Sequence, residues 1–319
     1  MRILVTGCVG FIGFHLCKEL LKKKNIEILG LDNINSYYST KLKKLRLNYL
    51  KKNRGFKFIK LDISNYSKLE TIFKKNKFDI IINLAAQAGV RYSIINPIEY
   101  VSSNTLGFSN ILDLSKKYKI QKLFYASSSS VYGDQKGFPI KENRKLFPKN
   151  MYSLSKKNNE EIAEIYSDHY GIKTVGLRFF TVYGEWGRPD MLMLKYMMAK
   201  MNDKVFIINN KGNHYRDFTY IGDVIKILIK LIFSKMKKKH EVFNICSNNP
   251  ISVKFVLNRI NELFGKPKIK FKKKLKIEVY KTHGDNTKIK KITGFKKFTD
   301  IETGLLQLVN WSKKHLKKI

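Results

Sequence analysis

Tyr152 and Lys156 are the residues around which chemistry can be built. They lie in Met151-Tyr152-Ser153-Leu154-Ser155-Lys156, ahead of a breaker-poor run, 157–166, that reads as a helix. Four residues apart on a helix, the two side chains share one face. An ammonium beside a phenol favours the phenolate and lowers a pKa that is ordinarily about 10. Such a tyrosine can take a proton from a substrate hydroxyl near neutral pH. In a chain with 17 tyrosines and a large lysine excess, a solvated helix also produces this spacing by chance. Its meaning therefore depends on the elements that come before it.

Arg2-Ile3-Leu4-Val5-Thr6 reads as a short buried strand. Gly7-Cys8-Val9-Gly10-Phe11-Ile12-Gly13 follows at once, and then an amphipathic helix to about Lys24. Glycines at positions 7, 10 and 13 let backbone approach a pyrophosphate, which then sits on the positive N-terminus of that helix. The next strand, 27–31, ends at Asp32, 19 residues after Gly13. A carboxylate there accepts from a ribose 2′-hydroxyl and repels a 2′-phosphate, so NAD is expected rather than NADP. Strand, loop, helix, strand and acid in succession carry this reading; the glycines alone would not.

The alternation continues. A third strand, 56–61, ends at Asp62 and Ile63, positioned to edge an adenine; a helix near 67–75 leads to a strand over 78–84. The small-residue loop Ala85-Ala86-Gln87-Ala88-Gly89-Val90-Arg91-Tyr92 would pass close to a bound cofactor. A long helix is expected over 97–118, a fifth strand over 122–126 and a sixth over 174–180. Ser127-Ser128-Ser129-Ser130-Val131-Tyr132-Gly133 follows strand five, and either finishes a turn or faces a ligand. The pattern predicts an α/β fold: a doubly wound parallel (Rossmann) sheet with ligands at the carboxyl ends of its strands. After Phe180 the rhythm loosens, with helices expected at 221–234, 252–264 and 302–315 and one late strand at 242–245. This implies a cofactor domain, 1–180 plus about 217–245, and a smaller α/β substrate lobe, 181–216 and 246–319.

Composition sets bounds. The 319 residues include 63 Lys and Arg against 25 Asp and Glu, a net charge of +38. That excess would attract polyanions, but it is nearly all lysine, spread along the chain in runs such as 22–24, 237–239 and 272–274. It accompanies no zinc-finger, RNA-binding or bZIP pattern, so no specific nucleic-acid partner is expected. Cys8, Cys17 and Cys246 are too few and scattered for a disulfide framework or a metal site. No cleavable signal and no apolar run approaching 18 residues is present, so a cytoplasmic protein with no membrane partner is expected.

With these residues in hand, the chain resembles the extended short-chain dehydrogenase/reductases that act on nucleotide sugars and, among them, the UDP-glucuronate 4-epimerases. The resemblance rests on TGCVGFIG, LAAQAGVRYS, NPIEYVSSNTLGF, YASSSSVYG, YSLSK, GLRFFTVYGEWGRPDM and RDFTYIGDV, in that order from residue 6 to 224. It implies that Tyr152 is the acid/base, that Lys156 holds the nicotinamide ribose while lowering the tyrosine pKa, and that Ser128 bonds the sugar 4-oxygen. Around NAD it places Gly7, Gly10, Phe11, Ile12, Gly13, Asp32 and Asn33, with Asp62, Ile63, Leu84, Ala85 and Ala86. Toward the UDP-sugar it places Arg91, Ser128, Ser129, Ser130, Thr181 and Arg188. Arg216 would pair with the diphosphate, and Asp285 would meet the nucleotide ribose. Departures from the family pattern are Asn83 for a histidine, Glu185 for a proline, and Ile277-Glu278-Val279 for Gly-Asp-Val. The resemblance also implies a homodimer through helices 97–118 and 156–170. These carry apolar residues on more than one face: Ile98, Val101, Leu106, Ile111 and Leu114 on the first, Ile162, Ile165 and Tyr166 on the second.

The implied reaction is inversion at C4 by transient oxidation. Sugar 4,6-dehydratases need acids where this chain has Ser129 and Ser130, and the related decarboxylases need a glutamate at Ser130. UDP-glucose and UDP-N-acetylglucosamine 4-epimerases remain rivals; the Arg188 motif and Thr181, where UDP-glucose enzymes carry asparagine, point away from them. A polyanion-binding protein on a degenerate dehydrogenase fold is the reading of another class, disfavoured by the intact Tyr152, Lys156 and Ser128.

Overall fold

A computed structural model describes residues 1–273 and 277–319. The chain begins with β1 (Arg2–Thr6), α1 (Phe11–Leu20), β2 (Glu27–Asp32), α2 (Thr40–Lys51), β3 (Phe56–Lys60), α3 (Tyr66–Lys75) and β4 (Ile80–Asn83). It continues through α4 (Tyr92–Ile95), α5 (Pro97–Tyr100), α6 (Gly107–Lys117), β5 (Lys122–Ser128), α7 (Met151–Tyr170) and β6 (Lys173–Phe179). Then come β7 (Thr181–Tyr183), α8 (Leu192–Met201), β8 (Phe206–Asn209), β9 (Tyr215–Tyr220), α9 (Ile221–Phe233) and β10 (His240–Ile245). The chain closes with β11 (Pro250–Ser252), α10 (Val253–Phe264), β12 (Ile269–Lys272), α11 (Thr287–Thr293) and α12 (Ile301–His315).

Seven strands form one sheet, parallel throughout as the strand–helix alternation predicts, in the order β10-β6-β5-β4-β1-β2-β3. The order reverses between β1 and β4, which opens a crevice at the carboxyl ends of the strands. The centre is apolar because helices cover both faces: Ile3-Leu4-Val5 and Ile80-Ile81-Ile82 are buried throughout. One face packs on Phe14 and Cys17 of α1 and on Val224 and Leu228 of α9. The other packs on Leu69 and Ile72 of α3, Phe108 and Ile111 of α6, and Ala163 of α7. Each such large side chain contributes roughly 1.5–3 kcal/mol by leaving water.

The smaller lobe holds a three-stranded sheet, β11-β9-β7, a parallel pair, β12-β8, and the helices α8, α10 and α12. Tyr196, Met197, Val256, Ile260, Leu305 and Leu308 form its core. The late strand β10 rejoins the large sheet beside β6, with Ile245 level with Phe179. Ile289 of α11 and Phe295, in the stretch expected to lie wholly in the substrate lobe, also pack into the core of the large sheet.

The stretch expected as one helix over 97–118 is broken in its winding. Between α5 and α6, Val101–Leu106 is π-helical. The wider turn holds Asn104, whose side chain accepts from Gln87 N at 2.8 Å and donates to Gln87 O at 3.0 Å and Ser155 Oγ at 2.9 Å. The apolar residues read as lying on more than one face of this stretch and of α7 divide between surface and core. Ile98 (75% exposed), Val101 and Leu106 face outward, as does Ile165 of α7 (56%). Ile111 and Leu114 are instead core residues, and Ile162 and Tyr166 pack partly against that core. Among the described residues no helix is long and apolar enough to cross a membrane, and no His/Cys/Asp/Glu group is arranged to hold a metal.

Candidate active site

Asn150 starts α7. Its side chain accepts from Ser153 N at 2.9 Å, and Ser153 Oγ accepts from Asn150 N at 3.1 Å, a reciprocal cap that fixes the first turn. Tyr152 sits in that turn, half-buried, and is hydrogen-bonded to Ser128 at the carboxyl end of β5. Ser128 Oγ also accepts from Ser130 N at 3.1 Å and from Ser130 Oγ at 2.9 Å, so the serine run is a pre-formed turn aimed at the tyrosine. One helical turn on, Lys156 Nζ donates to Ala126 O at 2.8 Å.

The electrostatics differ from the expectation that Lys156 lowers the tyrosine pKa. Burial pushes the Tyr152 phenol above its ordinary value, and what opposes it is the Ser128 hydrogen bond and the charge of Arg188. Burial likewise pulls Lys156 down to about 7, with Glu160 opposing. The lysine is engaged by a strand carbonyl rather than by the phenol.

A cavity of about 870 Å³ runs from the glycine loop to the smaller lobe and reaches both Tyr152 and Lys156. At its cofactor end Gly7 has φ +67°, and a Cβ on Gly13 would lie 2.2 Å from Gly7 O. The tight loop thus leads into α1, whose first residues Phe11, Ile12 and Gly13 line the cavity, so that the positive N-terminus of the helix forms a cradle for a pyrophosphate. Asp32 ends β2 on the cavity wall, where its carboxylate accepts from Ile34 N at 2.8 Å and Val9 N at 3.4 Å. Asn33 donates to Asp62 at 2.7 Å, and Asp62, Ile63, Leu84, Ala85 and Ala86 line the same wall with Phe11 and Ile12. These residues fit NAD: a phosphate cradle, a ribose acid and an apolar edge lie in one crevice.

At the other end the cavity is lined by Ser129, Ser130, Thr181, Arg188, Arg91 and Arg216. Arg188 holds Asp190 in a fork, Nε to Oδ1 at 3.0 Å and Nη2 to Oδ2 at 2.6 Å. Arg91 pairs with Glu278, and Arg216 donates to the carbonyls of Tyr215 (2.8 Å) and Tyr280 (3.1 Å). Asp285 departs from the expectation. It is buried outside the cavity, where it accepts from Thr287 N at 2.8 Å ahead of α11. The carboxylate of that segment which does line the cavity is Glu278.

Sequence reasoning missed several residues of this site. Tyr37 donates to Asp190 at 3.2 Å, tying the loop after β2 to the loop that carries Arg188. Arg46 of α2, fully buried, bonds Val9 O at 2.9 Å and the carbonyls of Trp186 and Gly187. Lys43, bound to Asn35 O at 2.7 Å, lines the cavity near Asp32, and burial lowers it to about 8. Lys43 and Arg46 fall three apart on one helix, but a lysine-rich chain hides that signal. The departures at Asn83 and Glu185 are locally satisfied: Asn83 accepts from Thr6 at 2.6 Å and Glu185 from Tyr220 at 2.8 Å.

The sequence profile of the NAD dependent epimerase/dehydratase family matches residues 3–246. The chain belongs to that family, and it is an NAD-dependent isomerase. UDP-glucuronate 4-epimerase of Thermodesulfobacterium geofontis is 39% identical over 99% of this chain and 97% of its own length. The structure of UDP-glucuronic acid 4-epimerase from Bacillus cereus, in complex with UDP-glucuronic acid and NAD, matches with TM-score 0.91 at 31% identity. That match covers 98% of this chain and 99% of the other. UDP-glucose 4-epimerase from Thermotoga maritima, with UDP-glucose, matches with TM-score 0.89 at 27% identity, over 99% of this chain and all of the other.

Proposed function

We propose that this protein interconverts UDP-glucuronate and UDP-galacturonate. The observation that carries the reading is the polar end of the cavity, where Ser129, Ser130 and Thr181 stand with Arg188 around the Tyr152–Ser128 hydrogen bond. Hydroxyls and a guanidinium suit a carboxylate on C5, whereas the acids that would drive dehydration or decarboxylation are absent from positions 129 and 130. The likenesses to named UDP-glucuronate 4-epimerases support it.

In this reading NAD, when bound, takes up the C4 hydride and gives it back. Tyr152 removes the proton of the 4-hydroxyl and later returns it, with Ser128 bonded to the same oxygen. Lys156 holds the nicotinamide ribose. Arg216 and Arg91 meet the diphosphate end of the substrate, so that the sugar can turn over while the nucleotide stays fixed. The 4-keto sugar formed from a glucuronate is a β-keto acid, which loses CO₂ when its C5–C6 bond aligns with the carbonyl. Ser129, Ser130 and Thr181 clamp the carboxylate out of that alignment. Arg188, already forked onto Asp190, orders the loop behind them.

UDP-glucose epimerisation is the second reading, favoured by the likeness to the Thermotoga maritima enzyme. Incubation with UDP-glucuronate and UDP-glucose in parallel, with C4 inversion followed by proton NMR, separates the two. We also infer a homodimer, supported by the outward-facing Ile94, Ile95, Ile98, Val101 and Leu106 beside Leu154 and Ile165.

A further inference from the structure

Behind Lys156 lies a second, deeper layer of charge. Glu160 follows Lys156 by four residues on α7 and is 5% exposed; Arg178 of β6 is 4% exposed. Arg178 grips the Glu160 carboxylate with both arms, Nε to Oε1 at 2.9 Å and Nη2 to Oε2 at 2.6 Å. Ser127 Oγ donates to Glu160 Oε1 as well. Arg178 is held in turn by Tyr132 Oη and by Glu142 O, each at 2.8 Å.

The register is specific. Three consecutive residues of β5 meet three residues of α7 spaced one turn apart: Ser128 meets Tyr152, Ala126 meets Lys156 and Ser127 meets Glu160. The same strand end that presents Ser128 to the phenol therefore anchors the lysine and the carboxylate behind it.

A buried ion pair is a poor way to gain stability, because desolvation consumes most of the attraction. This one has a neighbour to act on. Lys156 is itself buried, and the negative charge that opposes its desolvation is Glu160. The Glu160–Arg178 pair is neutral overall, and of its two charges the one that acts on Lys156 is the carboxylate, four residues on along the same helix. Facing Glu160 from the other elements are Arg178, Ser127 and Tyr125, with Tyr132 and the His240 ring; Glu164 follows on its own helix. Burial raises both tyrosines and lowers the histidine, so these three are neutral at pH 7.

We propose that Glu160, locked by Arg178 and Ser127, is a positioning residue that keeps the Lys156 ammonium charged and aimed at the end of β5. The proposal rests on the reading of Tyr152 as the acid/base and of Lys156 as the cation that holds the nicotinamide ribose beside it. Lys156 works in its charged form, so the loss of its proton sets an alkaline limb in the pH profile of kcat. Glu160→Gln removes the compensating charge, the lysine deprotonates at lower pH, and the limb moves to lower pH.

The test is the pH profile of kcat for the NAD-bound protein, with UDP-glucuronate, across the neutral and alkaline range. Glu160→Gln should shift the alkaline limb down by about one unit or more, with activity recovering toward acid pH. Because Glu160→Gln strands the buried Arg178, the double variant Glu160→Gln/Arg178→Met, which removes both charges, is measured beside it with thermal melts of each. The same downward shift in the folded double variant supports the proposal. An unmoved limb in whichever variant folds overturns it, since a merely structural role changes the melt and not the limb. Lys156→Met separates the premise: if that variant keeps wild-type turnover, the lysine has no part in the reaction and the underlying reading fails instead.

Discussion

Lys156 Nζ donates to Ala126 O at 2.8 Å, two residues before the serine that meets Tyr152. The lysine is thus seated by the strand, and the phenol is served by Ser128 and by the charge of Arg188. Tyr152 needs a cation to become a base, since burial alone moves it the wrong way.

Tyr152→Phe keeps the ring contact with Tyr100, whose centroid lies 6.0 Å away, and removes only the hydroxyl. Turnover should fall about 10²–10⁴-fold, the usual contribution of a positioned acid/base. A thermal melt should show the fold retained. More than about a tenth of wild-type activity would contradict the role.

NAD should copurify with the protein. Gly13→Ala drives a methyl to 2.2 Å from Gly7 O, so the phosphate cradle must open and bound NAD should be lost. Nucleotide released by denaturation checks both statements. Recovery of NADP from the wild type would contradict the placement of Asp32.

The cofactor half of the site was legible because its signals are local. Gly7, Gly10, Gly13 and Asp32 are set by one β-α-β unit, and the parallel, doubly wound sheet followed from alternation alone. The substrate half depends on contacts between distant segments. Tyr37 meets Asp190 and Arg91 meets Glu278, neither of which any spacing could announce. Asp285 was misplaced for the same reason: its segment runs along the cavity at Glu278 and leaves it before Asp285, which accepts from Thr287 N in the turn ahead of α11 instead. The π-helical winding at Val101–Leu106 was hidden because Asn104 draws it toward Gln87, a tertiary contact rather than a propensity.

Thr181→Val and Ser130→Ala each remove one hydroxyl from the end of the cavity proposed to hold the carboxylate. Losing such a donor costs roughly 1–3 kcal/mol of positioning. Each variant should epimerise more slowly and release more CO₂ and UDP-pentose per turnover. Galacturonate, keto-pentose and CO₂ products measured together give the ratio. An unchanged ratio with normal epimerisation would place the carboxylate elsewhere.

Light scattering at micromolar concentration should report twice the chain mass of 37.3 kDa. Ile98→Lys with Ile165→Lys should bring the mass down to a monomer, because both side chains stand in water in the single chain. A wild type that is already monomeric would contradict the inferred interface.

The most direct measurement compares kcat/KM for C4 inversion of UDP-glucuronate and UDP-glucose by the purified protein, read by proton NMR without added reductant or oxidant. The account predicts that UDP-glucuronate is converted to UDP-galacturonate by a wide margin over UDP-glucose, with no net change in bound NAD. Equal or better turnover of UDP-glucose would contradict it.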